Sequence, residues 1–213
     1  MKKITNLIII DASGSMTSKA AEIRGGLKMI FKEIKDDIAL GEAKIRTIVT
    51  QFSSPGYFKE LVNSKKAEKL TNQLADAYQP QGMTALFDAI GQGFQLVPEQ
   101  QDSVLVTILT DGQENSSQEY DQAAITKLIS DKKAGTPAWT ITFMGTTEQA
   151  MKAAQSWGVS RGNSLSVSND GKGFNTSMRS YSKMRKSHYE SSLGRSRGGN
   201  MDNLAVDNEA EDE

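Results

Sequence analysis

The chain has no cysteine, one histidine, four prolines and only 7% aromatic residues among 213 positions. Without cysteine there is no disulfide, no thiolate nucleophile, no iron–sulfur cluster and no cysteine-based zinc site, and a single histidine leaves no room for a histidine-rich metal centre. Any metal ion held here must be held by oxygen. Long apolar runs are missing too. Ile4 to Ile10 is far too short to span a membrane, carries Thr5 and Asn6, and is cut off by Asp11, which also argues against a signal peptide. The expectation is a soluble, cytoplasmic protein with no membrane partner. Neither sign of charge dominates, with 25 Lys plus Arg against 26 Asp plus Glu. Hydrophobic residues make up 37%, low for a chain that packs along its whole length, so part of it should lie outside the core. The length suits one domain.

What is present alternates. Ile4–Ile10 reads as a parallel strand buried on both faces. After it, Ile23, Leu27, Ile30, Ile34 and Ile38 recur at helical spacing, opposite Lys28, Lys32 and Lys35. Lys44–Phe52 and Tyr57–Val62 are strand candidates joined through Ser53-Ser54-Pro55-Gly56, a connection so short that it can only join antiparallel neighbours. A helix over 67–74, a loop through Pro80 and Gly82, a helix from Ala85 to Leu96 and a strand from Ser103 to Thr110 follow. Helices at 122–133, 148–157 and 174–191 alternate with strands at 139–145 and 164–168. This order predicts an α/β fold: a doubly wound, mostly parallel sheet, helices on both faces and one antiparallel edge strand. The domain is expected over 1–193, with 194–213 a disordered polar tail ending in acids.

Two strands run out into polar clusters, Asp11-Ala12-Ser13-Gly14-Ser15 after the first and Asp111-Gly112 after Thr110. In open parallel sheets ligands bind beyond the carboxyl ends of strands where the winding reverses, so these clusters should be neighbours. Thr84, in a loop before a helix, can add a third hydroxyl. Two carboxylates and three hydroxyls suit a hard divalent cation, favouring Mg2+, with Mn2+ or Ca2+ as alternatives. The competing reading is that Asp11 and Ser15 cap the first helix and Asp111 caps or turns the next one. Asp88 is either a helper of the ion site or an exposed first-turn acid favoured by the helix dipole. Glu114, Asn115, Ser116 and Ser117 either set partner preference or form a polar turn. Trp139 and Trp157 read as core, and His188 as flanking the last helix without a visible partner.

Asp11-x-Ser13-x-Ser15, Thr84 in Gly82-Met83-Thr84-Ala85-Leu86, and Asp111 in Leu109-Thr110-Asp111-Gly112 resemble the metal-ion-dependent adhesion site of von Willebrand factor type A domains. The resemblance extends over 4–191, and all five positions match. It implies that Ser13, Ser15 and Thr84 ligate the ion, that Asp11 and Asp111 fix charge and water, and that an Asp or Glu of a partner protein completes the shell. It further implies an adaptor in a multiprotein assembly, such as one containing an AAA+ ATPase.

An enzyme reading is weaker. A haloacid dehalogenase-type phosphohydrolase, which would also use magnesium, needs a second Asp where Ser13 stands. Gly14 to Lys19 lacks the second glycine of a P-loop, and Asp11 to Ser15 has one glycine where a dinucleotide fold wants three. The C-terminal charges offer another alternative. Residues 161–200 sum to +6 and 201–213 to -6. On the last helix Phe174, Met178, Tyr181 and Met184 should pack on the sheet, leaving Arg179, Lys183 and Lys186 as a basic face that is either simply solvated or a contact for a nucleic acid. The acidic terminus could instead occupy the metal site.

Overall fold

The structure is a computed structural model, and it describes residues 1–39, 41–111, 113–137, 139–145, 147–167 and 171–195. Strands β1 (Lys2–Asp11), β2 (Ala43–Phe52), β3 (Phe58–Ser64), β4 (Ser103–Thr110), β5 (Trp139–Gly145) and β6 (Ser164–Ser166) form one sheet in the order β3-β2-β1-β4-β5-β6. All pairings are parallel except β2 with β3, which turn back on each other through Ser53 to Tyr57 as an antiparallel edge. Helices α1 (Ala20–Ala39), α2 (Asn72–Asp76), α3 (Leu86–Gln95), α4 (Gln122–Ala134), α5 (Glu148–Ser156) and α6 (Gly171–Ser192) connect the strands or follow them. The doubly wound α/β expectation holds.

Alternation along β1 builds both halves of the core. Ile4, Ile8 and Ile10 face Ile23, Leu27, Ile30 and Ile34 of α1 and Met178, Tyr181 and Met184 of α6. Leu7 and Ile9 face Leu86, Ile90 and Phe94 of α3, with Ile125, Ile129 and Trp157 beyond. Gly93 allows α3 to lie against β1, because a Cβ there would come within 2.7 Å of the Ile9 side chain.

Some boundaries differ from the sequence expectation. The helix expected over 67–74 is a 3-10 turn at Ala67–Lys69 followed by α2, since Leu70 leaves helical geometry to bury itself at 1% exposure. The first helix is preceded by a 3-10 turn at Gly14–Lys19. Strand β6 is shorter than expected, and α6 starts three residues earlier. Trp157 is buried, but Trp139 is only partly so, with Lys132 Nζ 4.6 Å from the centre of its ring.

Helix α6 adds one buried pair and corrects one reading. Arg179, Lys183 and Lys186 are exposed, but Arg185, counted among the basic residues of this region, is fully buried and pairs with Glu33 and Asp37 of α1. His188 is not a flanking residue without a partner. It is buried, its Nε2 is 2.8 Å from the Ser103 hydroxyl at the start of β4, and burial pushes its pKa down to about 4. The side chain of Phe174, Gly112 and residues 196–213, which make up nearly all of the expected tail, lie outside the described residues. Among the described residues no helix is long and apolar enough to cross a membrane.

Candidate metal centre

The winding of the sheet reverses at β1, which leads through α1 to β2 on one side and lies beside β4 on the other. Register pairs Ile10 with Leu109, so the chain leaves both strands at the same height with Asp11 beside Thr110. The two polar clusters are therefore neighbours, as the apolar runs and their abrupt ends predict.

Asp11 is fully buried at this edge. Its Oδ1 accepts the Ser13 backbone N–H at 2.7 Å and its Oδ2 accepts the Thr110 hydroxyl at 2.5 Å. Burial raises the Asp11 pKa against the opposing pull of those two hydrogen bonds, and the nearby Asp111 charge raises it further. A buried carboxylate of this kind gains from a cation close by. The Asp11 backbone carbonyl accepts the Tyr78 hydroxyl at 2.6 Å, which fixes the end of the strand.

The hydroxyls of Ser13 and Ser15 lie 3.0 Å apart, and Ser15 Oγ donates to Asp111 Oδ1 at 2.6 Å. Adjacent oxygens around an octahedral magnesium ion, with bonds of about 2.1 Å, stand about 3.0 Å apart. The two hydroxyls are hydrogen-bonded to each other, and the same separation is compatible with two neighbouring ligands of such an ion. As for the capping alternative, neither Asp11 nor Ser15 stands at the N-cap position of the 3-10 turn, which Ser13 occupies without a side-chain cap bond; Asp11 accepts the Ser13 N–H, and Asp111 bonds to Ser15 and Lys19.

Thr84 arrives on a loop clipped at every residue. Gln81 N–H donates to the Ala12 carbonyl at 2.6 Å, Gly14 N–H to the Gly82 carbonyl at 2.9 Å, and Met83 N–H to Ser54 Oγ at 2.9 Å. Asn115 grips both sides of Thr84, its Oδ1 accepting the Thr84 N–H at 3.0 Å and its own N–H donating to the Thr84 carbonyl at 3.1 Å. Gly82 is required here: its φ is 77°, and a Cβ would lie 2.4 Å from Ser54 Oγ.

The loop after β4 is held by two carboxylates. Glu114 accepts backbone N–H groups of Ser116 and Ser117 through Oε1, and the Phe87 N–H and Ser117 hydroxyl through Oε2. It thereby satisfies an N–H of the first turn of α3. Asp88 is not an exposed first-turn acid. It is 6% exposed, and its two oxygens accept the N–H groups of Gln118, Glu119 and Tyr120 at 2.8 to 2.9 Å. Glu114 and Asp88 lock this loop onto α3, and Asn115 ties it to Thr84.

Sequence reasoning missed Lys19, Tyr78, Thr110 and Ser54. Thr110 adjoins Asp111 and sits opposite Asp11 once the two strands are paired. Lys19 had no such signal, because its partner Asp111 is 92 positions away.

Among the described residues no three His, Asp or Glu side chains gather as a metal cluster, so hydroxyls would have to supply part of any shell. The donors here, hydroxyl and carboxylate oxygens with no nitrogen or sulfur ligand, fit a small hard cation.

The fold recurs in solved structures. The pilus adhesin SpaC from Lactobacillus rhamnosus GG, in its open conformation, matches with a TM-score of 0.67 at 16% identity, over 86% of this chain and 30% of that one. The vWF domain of the type V pili tip protein Mfa5 from Porphyromonas gingivalis matches at 0.65 and 9% identity, over 93% and 98%. A proximal thread matrix protein from the mussel byssus, described with a zinc-occupied MIDAS motif, matches at 0.60 and 16% identity, over 86% and 46%. This chain thus spans under a third of the adhesin. At these identities the likeness is one of fold. Comparison with curated proteins gives no match at the sequence level. A family model described as von Willebrand factor type A domain matches residues 7–156, and the chain belongs to that family.

Proposed function

We propose that this domain binds a partner protein through a divalent cation, preferentially Mg2+, held by Asp11, Ser13, Ser15, Thr84 and Asp111. The observation that carries the reading is the convergence of Asp11, Ser13, Ser15 and Asp111 at the sheet's switch point, with the Ser13 and Ser15 hydroxyls hydrogen-bonded at 3.0 Å and Ser15 bonded to Asp111. The two serines and Thr84 would hold the ion, while Asp11 and Asp111 balance its charge. A bound cation supplies Lewis acidity toward one more oxyanion, for which an Asp or Glu of the partner is the natural candidate. The chain's own part is positioning. Asp11 orients the turn through the Ser13 N–H, and Asn115 fixes Thr84 from both sides.

The pilus proteins and the mussel protein with its zinc-occupied site share this fold, which supports an adhesive or adaptor role. The placement of the histidine speaks against a Ser–His–acid set at this site. His188 is buried against Ser103, at the opposite end of β4 from Asp111, and cannot serve as a base at the switch point.

The test is capture of partners from native extract with and without chelator, repeated with Asp111→Ala. Recovery of the same partner only with Mg2+ or Mn2+ and only on the wild type supports the reading. Partner capture indifferent to both, or turnover of a phosphorylated substrate lost in Asp111→Ala, contradicts it.

A further inference from the structure

Lys19 ends the 3-10 turn that begins at Gly14, and its ammonium lies 2.7 Å from Asp111 Oδ2. This is not an ordinary surface pair, because the side chains are only 17% and 5% exposed. Asp111 Oδ1 is taken by Ser15, so both oxygens of this carboxylate are engaged, one of them by a cation belonging to the chain itself. The turn carrying Lys19 is pinned by Met16, which is fully buried, and by the Thr17 hydroxyl on the Gly14 carbonyl at 2.7 Å. Only the flexible lysine stem is free to move.

We propose that Lys19 is the resident counter-cation of this site, so that divalent binding is an exchange in which the ammonium leaves Asp111. This deepens the metal-dependent reading above and rests on it. With Asp11 and Asp111 ionised the site carries two negative charges. Lys19 cancels one, and an arriving divalent ion must displace that ammonium or share the carboxylate with it. Either route weakens affinity, since like charges a few ångströms apart repel by several kcal/mol even at an effective dielectric of about 20.

The experiment is calorimetric titration of the full chain with Mg2+ and with Mn2+, comparing wild type, Lys19→Met and Lys19→Arg, each shown to be folded by circular dichroism. Lys19→Met should bind either ion about tenfold tighter or more, while Lys19→Arg, which keeps the charge, should stay near the wild type. A wild type that binds the ions, with Lys19→Met equal or weaker, overturns this inference and leaves the metal reading standing. No binding by any of the three overturns both. A second measurement needs no variant. Acylation of amines on the wild type, read by mass spectrometry, should find Lys19 protected without divalent ion and reactive with it. Protection unchanged by saturating ion would contradict the exchange.

Discussion

Two buried ion pairs in this domain have opposite designs. At the contact of α1 and α6, Arg185 is wholly buried and its guanidinium reaches two carboxylates, Asp37 through Nη1 and Glu33 through Nη2. At the carboxyl edge of the sheet, Lys19 makes one contact with one carboxylate, and the exposed Ser15 lies alongside. Arginine presents a rigid planar fork, whereas lysine presents a point charge on a flexible stem. The first arrangement closes a gap between helices, and its charges are spent on one another. The second engages its carboxylate with one flexible ammonium and one serine hydroxyl, so its partners can be exchanged one at a time. Burial of charge is thus no guide to function by itself; what separates the clusters is a rigid fork bridging two carboxylates in one and a single flexible ammonium on one carboxylate in the other.

The largest expected effect comes from breaking the closed cluster. Arg185→Met leaves Glu33 and Asp37 without their partner, and urea unfolding should show a loss of about 3 kcal/mol. Divalent affinity at the switch point should not change, because no residue is shared between the two clusters.

His188, on the same buried face of α6, sharpens the comparison through pH. Its folded pKa of about 4 lies below the ordinary 6.5, so between those values the unfolded chain takes up a proton that the folded chain refuses. The stability contributed by the neutral ring is complete above pH 6.5, falls as pH drops toward 4, and levels off below that. The full loss is about 3 kcal/mol. Comparing unfolding free energies of wild type and His188→Gln across this window isolates the effect, and the difference between them should carry the slope.

A smaller change is expected on the open side. Asp88→Ala leaves three backbone N–H groups of residues 118–120 without their acceptor and should cost about 2 kcal/mol. Amide exchange at those residues should accelerate. Divalent affinity should fall as well, since the same loop carries Asn115 and holds Thr84 in place.

How much of this was legible in the sequence follows from what each residue depends on. The apolar run of β1 and its abrupt stop at Asp11 announce a buried parallel strand ending in a polar cluster, and Asp11, Ser13, Ser15 and Asp111 are linked there by hydrogen bonds. The burial of Arg185 was not read from the sequence, because a basic residue beside Lys183 and Lys186 carries no local sign of a buried partner. Yet it follows Tyr181 by four positions, on the buried side, and its partners Glu33 and Asp37 are four apart on another helix. Which helices touch is a property of the fold, not of local pattern. Asp88 was misread for the same reason, since the N–H groups it accepts belong to a loop that follows the next strand. The break at Leu70 reflects tertiary burial overriding the helical tendency of Ala67-Glu68-Lys69.

The central claim is that Asp11, Ser13, Ser15, Thr84 and Asp111 together hold one divalent cation. Mn2+ binding followed by electron paramagnetic resonance tests it most directly, with wild type, Ser13→Ala and Asp111→Ala compared at equal protein concentration. One saturable site on the wild type, competed by Mg2+ and lost in both variants, is the predicted result. A wild type that leaves the free Mn2+ signal undiminished, or variants that bind as the wild type does, would contradict the account.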